Sequence, residues 1–112
     1  MSGHYIIRKS SAVQPYHFVL RAGNNEVILT SENYASKQGA QNGITSCQVN
    51  SPIDDRYVRK ESTASQPYSF VLKAANGEVI GRSENYASTT GRDNGIVSVK
   101  ANGPTKDIRD DT

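Results

Sequence analysis

The stretch PYHFVLRAGNNEVILTSENYAS, Pro15 to Ser36, returns later in the chain as PYSFVLKAANGEVIGRSENYAS, Pro67 to Ser88. The same offset of 52 positions carries Asn42-Gly43-Ile44 onto Asn94-Gly95-Ile96 without a gap. Roughly half the positions from His4 to Ser51 match their counterparts from Arg56 to Gly103, the mark of a tandem duplication. The copies run from about 4 to 53 and from about 56 to 109. A copy of this size is near the lower limit for an independent core, so the two are expected to form one pseudo-symmetric domain over residues 1–112.

Each copy reads as three strands and a helix. Tyr5 to Lys9 and Tyr57 to Lys60 are β-prone and end in polar, Ser-rich turns. PYHFVLRA and PYSFVLKA are strands that open on a proline, where a missing donor is tolerable. Asn76-Gly77, and Asn24-Asn25 in the first copy, predict a two-residue type I′ hairpin, which needs positive φ at both central residues. That turn sets a register of Ala22 with Val27, Leu20 with Leu29 and Phe18 with Ser31 on a core face. Ala74, Val79, Leu72 and Phe70 repeat it. The opposite face then carries Val19, Arg21, Ile28, Val71, Lys73, Ile80 and Arg82, together with His17, Thr30 and Ser69.

SENYAS, Ser31 to Ser36 and Ser83 to Ser88, precedes a helix predicted over about 37–49 and about 89–101. Ser36 and Ser88 suit the N-cap, where a side-chain oxygen accepts a bond from an orphaned amide. Tyr34 and Tyr86 are placed to fold over the helix start, and Glu32 and Glu84 to meet free backbone amides. Ala40, Ile44 and Cys47 share a helix face, as do Ile96 and Val99. Beside them run Gly39, Gly43 and Ser46, repeated as Gly91, Gly95 and Ser98. Each glycine costs a helix about 1 kcal/mol relative to alanine, so something must approach those backbones closely, either the two helices each other or a strand.

Composition narrows the class. Of 112 residues, 35% are hydrophobic and 21% charged, which suits a folded, soluble domain. The formal charge of +2 is mild for a nucleic-acid binder. No apolar run is long enough to span a bilayer, MSGHYIIRKSS lacks the apolar core of a secretory signal, and the lone Cys47 agrees with a reducing, cytoplasmic setting. Two histidines and one cysteine fall short of a metal-ligand set, and no cofactor is expected.

The pattern PYxFVLKAxNGEVI, then SExYxS, then a helix containing NGIxSV, given twice and followed by a short final strand, closely resembles the YegP-like family of small bacterial proteins of unknown function. The resemblance covers His4 to about Arg109. It implies an α+β fold in which two tandem β-β-β-α-β repeats form one antiparallel-rich sheet, with two helices on one face and the C-terminal strands exchanged between units. It carries over no catalytic residue.

Enzymatic chemistry is disfavoured because the chain shows no nucleophile elbow, phosphate-cradling loop or carboxylate pair. The residue set that recurs for a site near the SENYAS junctions is Glu32, Tyr34 and Asn42. A non-catalytic binding module using the open sheet face is preferred, working as a monomer with internal pseudo-twofold symmetry. Protein or a small ligand is favoured as partner over single-stranded nucleic acid, since only His17 on that face could stack on a base.

Overall fold

The structure, a computed structural model, describes residues 3–112. Its elements are β1 (His4–Lys9), β2 (Tyr16–Arg21), β3 (Val27–Ser31), α1 (Lys37–Asn50), a 3-10 turn (Asp54–Arg56), β4 (Tyr57–Glu61), β5 (Tyr68–Lys73), β6 (Val79–Arg82), α2 (Thr89–Asn102) and β7 (Ile108–Asp111). The fold is α+β. Its seven strands make one mixed sheet in the order β4-β5-β6-β3-β2-β1-β7. Five pairings are antiparallel, and β1 with β7 is parallel.

The hairpins differ from the two-residue turn that Asn-Gly suggests. Only Asn25 (φ 73°) and Gly77 (φ 86°) have positive φ among the described residues. Asn24 Oδ1 and Asn76 Oδ1 accept the amides of Glu26 and Glu78, which holds the first asparagine of each turn in the right-handed region. The result is a three-residue loop closed by Asn25 N–H to Ala22 O and Gly77 N–H to Ala74 O. The extra residue is absorbed as a bulge: Leu20 pairs with Leu29 but Arg21 pairs with Val27, and Leu72 pairs with Gly81 but Lys73 with Val79. Ile28 and Ile80 are therefore turned into the core, at 7% and 4% exposure, and Val27 and Val79 take their expected places on the other face.

Strand exchange is also corrected. The second copy sends β7 across to β1 of the first copy, but the first copy sends no strand back. The positions matching Ile108–Asp111 are Arg56–Arg59, and those residues are already entering or building β4. A chain segment cannot lie on both sides of the same edge.

The core lies between the sheet and the helices and contains Tyr5, Ile7, Phe18, Leu20, Leu29, Ala40, Ile44, Cys47, Phe70, Leu72, Ile96 and Val99. The helices cross the sheet in opposite senses. Lys37 at the start of α1 is ion-paired with Asp110 of β7, whereas the carbonyl of its C-cap, Ser51, accepts the Tyr57 hydroxyl of β4. The carbonyl of Gly103, the C-cap of α2, accepts the Tyr5 hydroxyl of β1. Ser51 and Gly103 touch each other. Thr30 pairs with Arg82 at the sheet centre. Both are pairs of positions 52 apart, so an approximate twofold axis runs through the sheet centre and the helix ends.

The SENYAS stretches are junctions built alike in their serine and tyrosine contacts. Ser31 Oγ accepts the Phe18 amide and Ser83 Oγ the Phe70 amide, so a hydroxyl ends the ladder where the strand turns away. Tyr34 and Tyr86 then bridge back to Tyr16 and Tyr68. Ser36 and Ser88 cap the helices, each accepting from the glycine three residues on. At Gly43 and Gly95 the close approach comes first from the tyrosines and next from the strand residues Phe18 and Phe70, at 3.0 and 3.2 Å from where a Cβ would sit, and not from the other helix. A methyl group at Gly43 would overlap the Tyr34 hydroxyl and lie 2.7 Å from Cζ, and one at Gly95 would meet Tyr86 in the same way. The rings in turn stack on Phe18 and Phe70 at 6.4 and 6.5 Å.

Candidate binding face

The sheet face turned away from the helices is assembled one or two residues at a time from all seven strands. Partners across a sheet share a face. The pairings Val58–Val71, Val71–Arg82, Arg82–Thr30, Thr30–Val19, Val19–Ile6 and Ile6–Arg109 make one row across the full sheet. At the usual strand spacing the row is about 29 Å long. Flanking it are Arg8 beside His17 and Arg21 beside Val27 on one side of the axis, and Lys60 beside Ser69 and Lys73 beside Val79 on the other.

Five of the expected residues, Val19, Arg21, Val71, Lys73 and Arg82, are brought together here, and Ile28 and Ile80 are not. Val19 and Val71 are largely covered, at 7% and 9% exposure, although no helix lies over them. The surface offered to a partner is therefore chiefly cationic. Arg8, Arg21, Lys60 and Lys73 make no ion pair among the described residues, whereas Arg82 is held by Glu32 at 2.6 Å and Arg109 by Asp107 at 3.3 Å. Glu32, Lys60, Ser69, Val71, Val79 and Arg82 help line a shallow cleft of about 320 Å³ on this face. His4, nearly closed to solvent on β1, has its pKa lowered, first by burial and then by the charge of Arg109.

Arg8, Lys60 and Arg109 were not among the sequence candidates. Their parity along β1, β4 and β7 was readable, but which parity faces away from the helices depends on pairing with other strands.

Glu32 meets Arg82 and not a backbone amide, and Glu84 is exposed. Burial, then the charge of Glu32, raises the Tyr34 pKa, and burial followed by Glu84 raises that of Tyr86, so both phenols are poor acids. A second cleft of about 250 Å³ lies between α1 and the β5–β6 hairpin, lined by Tyr34, Asn42, Ser46, Glu78 and Ile80 among others. Cys47 is fully buried and its thiol is pushed up to about 11 by that burial, which leaves it a packing residue. Among the described residues no three His, Cys, Asp or Glu side chains are placed to hold a metal, and no helix is long and apolar enough to cross a membrane.

Residues 14–57 and 64–110 each match the domain of unknown function DUF1508. The chain is 54% identical to the UPF0339 protein YegP of Yersinia pestis, covering 96% of this chain and 95% of that one. The chain belongs to the YegP-like family. Within it, a UPF0339 protein of Shewanella oneidensis is 56% identical over 98% of both chains, and YegP of Escherichia coli K12 is 48% identical over the whole of both. Two solution NMR structures share the fold. A UPF0339 protein of S. oneidensis aligns with a TM-score of 0.89 at 55% identity, over 98% of this chain and 92% of that one. The E. coli yegP protein, described as of unknown function, aligns with a TM-score of 0.91 at 47% identity, over 100% and 95%.

Proposed function

We propose that this YegP-like chain, acting as one pseudo-symmetric domain over residues 1–112, is a non-catalytic binding module whose working surface is the open sheet face and whose partner is an acidic protein segment. The observation that carries this reading is the row across seven strands flanked by Arg8, Arg21, Lys60 and Lys73, four cations without ion-pair partners among the described residues. Unpaired cations of one sign on a single face draw an anionic partner and set its orientation. The buried thiol of Cys47 is compatible with a cytoplasmic role.

Single-stranded nucleic acid is the second reading, and ring placement weighs against it. The eight aromatic rings, six tyrosines and two phenylalanines, belong to the core or pack on the helix side of the sheet. On the cationic face that leaves His17, beside Arg8, as the ring able to stack on a base, short of the aromatic pair that single-strand binders display.

The test is titration of the protein with a glutamate-rich peptide, followed by amide NMR. Shifts on the row residues are expected, and their loss in Arg21→Glu/Lys73→Glu with the melting temperature nearly unchanged, since half-exposed charges contribute little. Tighter binding of a single-stranded oligonucleotide, with a steep salt dependence, transfers the face to nucleic acid. Absence of any shift from either probe at low salt refutes the proposal.

A further inference from the structure

The outer edges of β1 and β4 are matched by the approximate twofold axis but differ in occupancy. On one side, β7 lies parallel to β1 in the register Tyr5–Ile108, Ile6–Arg109, Ile7–Asp110 and Arg8–Asp111. On the other side β4 is the last strand, and beyond Tyr57 its residues are all exposed. The exposure tracks the missing neighbour. Ile7 is 1% exposed under β7, whereas its match Arg59 is open, and Val58 is 38% exposed where its match Ile6 is half-buried.

The backbone of this edge is ready to pair. In β1 the Tyr5 amide donates outward to Asp107 O. The corresponding amide of Tyr57 is taken by Asp54 O in the 3-10 turn, so by the alternation of the ladder the next outward donor is the Arg59 amide. The occupied edge also shows what such a strand looks like, because β7 reads Ile-Arg-Asp-Asp and its Asp110 is held by Lys37 at 2.8 Å. Transposed onto β4, the two acidic positions fall opposite Arg59 and Lys60. Lys60 has no ion-pair partner among the described residues, and Arg59 reaches Asp54 and Asp93 only at 3.5 Å.

We propose that the outer edge of β4 is a strand-docking site for an extended peptide of the form apolar–any–acidic–acidic, bound parallel to β4 in the place of the missing image of β7. Main-chain bonds supply the hold, and Arg59 and Lys60 supply the selection. The same two cations keep unselected edges from pairing there, since charged side chains are a common guard on exposed strands. This site shares Lys60 with the open face, but it rests on the bare backbone edge of β4 and does not depend on the reading given for that face.

The experiment titrates the full chain with a blocked synthetic peptide of its own sequence Lys106–Thr112 and follows backbone amides. Shifts centred on Tyr57–Glu61 are expected, with slower hydrogen exchange at Arg59. Lys60→Glu is expected to weaken binding about tenfold, the scale of one lost charge contact of about 1.4 kcal/mol. Arg59→Pro removes the outward amide at a position where an edge strand tolerates proline, and is expected to abolish binding; Lys60→Glu serves if that variant does not fold. A peptide with both aspartates changed to lysine is expected not to bind, and Arg21→Glu/Lys73→Glu is expected to bind normally. The proposal is overturned by any of three results: no shifts at millimolar peptide, shifts confined to β1 and β7 through displacement of the native strand, or shifts confined to the open face.

Discussion

Replacing Gly103 by alanine tests the approximate twofold axis at its tightest point. Gly103 sits at φ −57° and ψ −35°, an ordinary helical conformation that any residue adopts, so backbone freedom does not require glycine there. Helix propensity alone favours alanine by about 1 kcal/mol. The methyl group, however, would overlap Oγ and Cβ of Ser51 and lie 2.9 Å from the Val99 carbonyl oxygen. A Cβ is fixed by its own backbone and a helical carbonyl by its ladder, so neither neighbour yields cheaply. Overpacking of this kind costs about 1–3 kcal/mol, and near the upper end it outweighs propensity by about 2 kcal/mol. For a domain of this size that is a fall in melting temperature of about 8 °C. Because Ser51 is the match of Gly103, the exchange Ser51→Gly with Gly103→Ser moves the one permitted side chain to the other side of the axis. The double variant is expected to recover to within about 1 kcal/mol of the parent, with strong non-additivity in the cycle. Calorimetry or urea unfolding of the parent, both single variants and the pair measures this. The reasoning fails if Gly103→Ala is as stable as the parent, or if the pair is no better than the sum of its parts.

Gly43→Ala is expected to lower the melting temperature although alanine is the better helix former, because the methyl group meets the Tyr34 ring; an unchanged or raised value refutes the seating of tyrosine on glycine. Tyr57→Phe leaves the buried Ser51 carbonyl without its 2.6 Å hydroxyl donor and is expected to cost about 1–3 kcal/mol in chemical unfolding. His4 has a folded pKa below the ordinary 6.5, so the unfolded chain takes up protons more readily as pH falls below that value. Its contribution is fully present above pH 6.5 and is lost as pH falls through the folded pKa; His4→Gln is expected to flatten that part of the stability profile, and a parallel profile would exclude His4 as its source. Cys47 is expected to react with a thiol reagent only as fast as the protein opens, so its rate should rise with the unfolded fraction in urea.

The charge layout of the open face explains why a sequence-only view of it was incomplete. Arg21, Lys73 and Arg82 lie on strands whose hairpin register is local, and alternation placed them correctly. Arg8, Lys60 and Arg109 lie on strands joined to those hairpins by longer connections or by the crossing of β7, and nothing within a few residues of each says what it will stand beside. Ile28 and Ile80 failed for a different reason. Asn-Gly is compatible both with a turn having two left-handed residues and with a turn having one left-handed residue and a bulge. The side-chain bond from Asn24 or Asn76 to the amide two residues on selects the second, and one added residue reverses the face of the next.

What the sequence by itself determined is what short-range physics controls. The duplication, the strands Tyr16–Arg21 and Tyr68–Lys73, the helix starts capped by Ser36 and Ser88, and the apolar helix face through Ile44 and Cys47 follow from alternation, turn chemistry and capping within a few residues. Tertiary structure decided everything that depends on two distant segments competing for one space. Leu29 and Gly81, and Ser51 and Gly103, are matched positions beside the axis, and in each pair one side chain occupies the room that both would need. Tyr34 takes the space over Gly43, so the glycine is legible as a demand for close approach but not as a demand for a ring. The strand after α1 must become β4, which leaves that edge bare while β7 covers its image. Excluded volume and chain connectivity, neither of which is written in local propensity, made those choices.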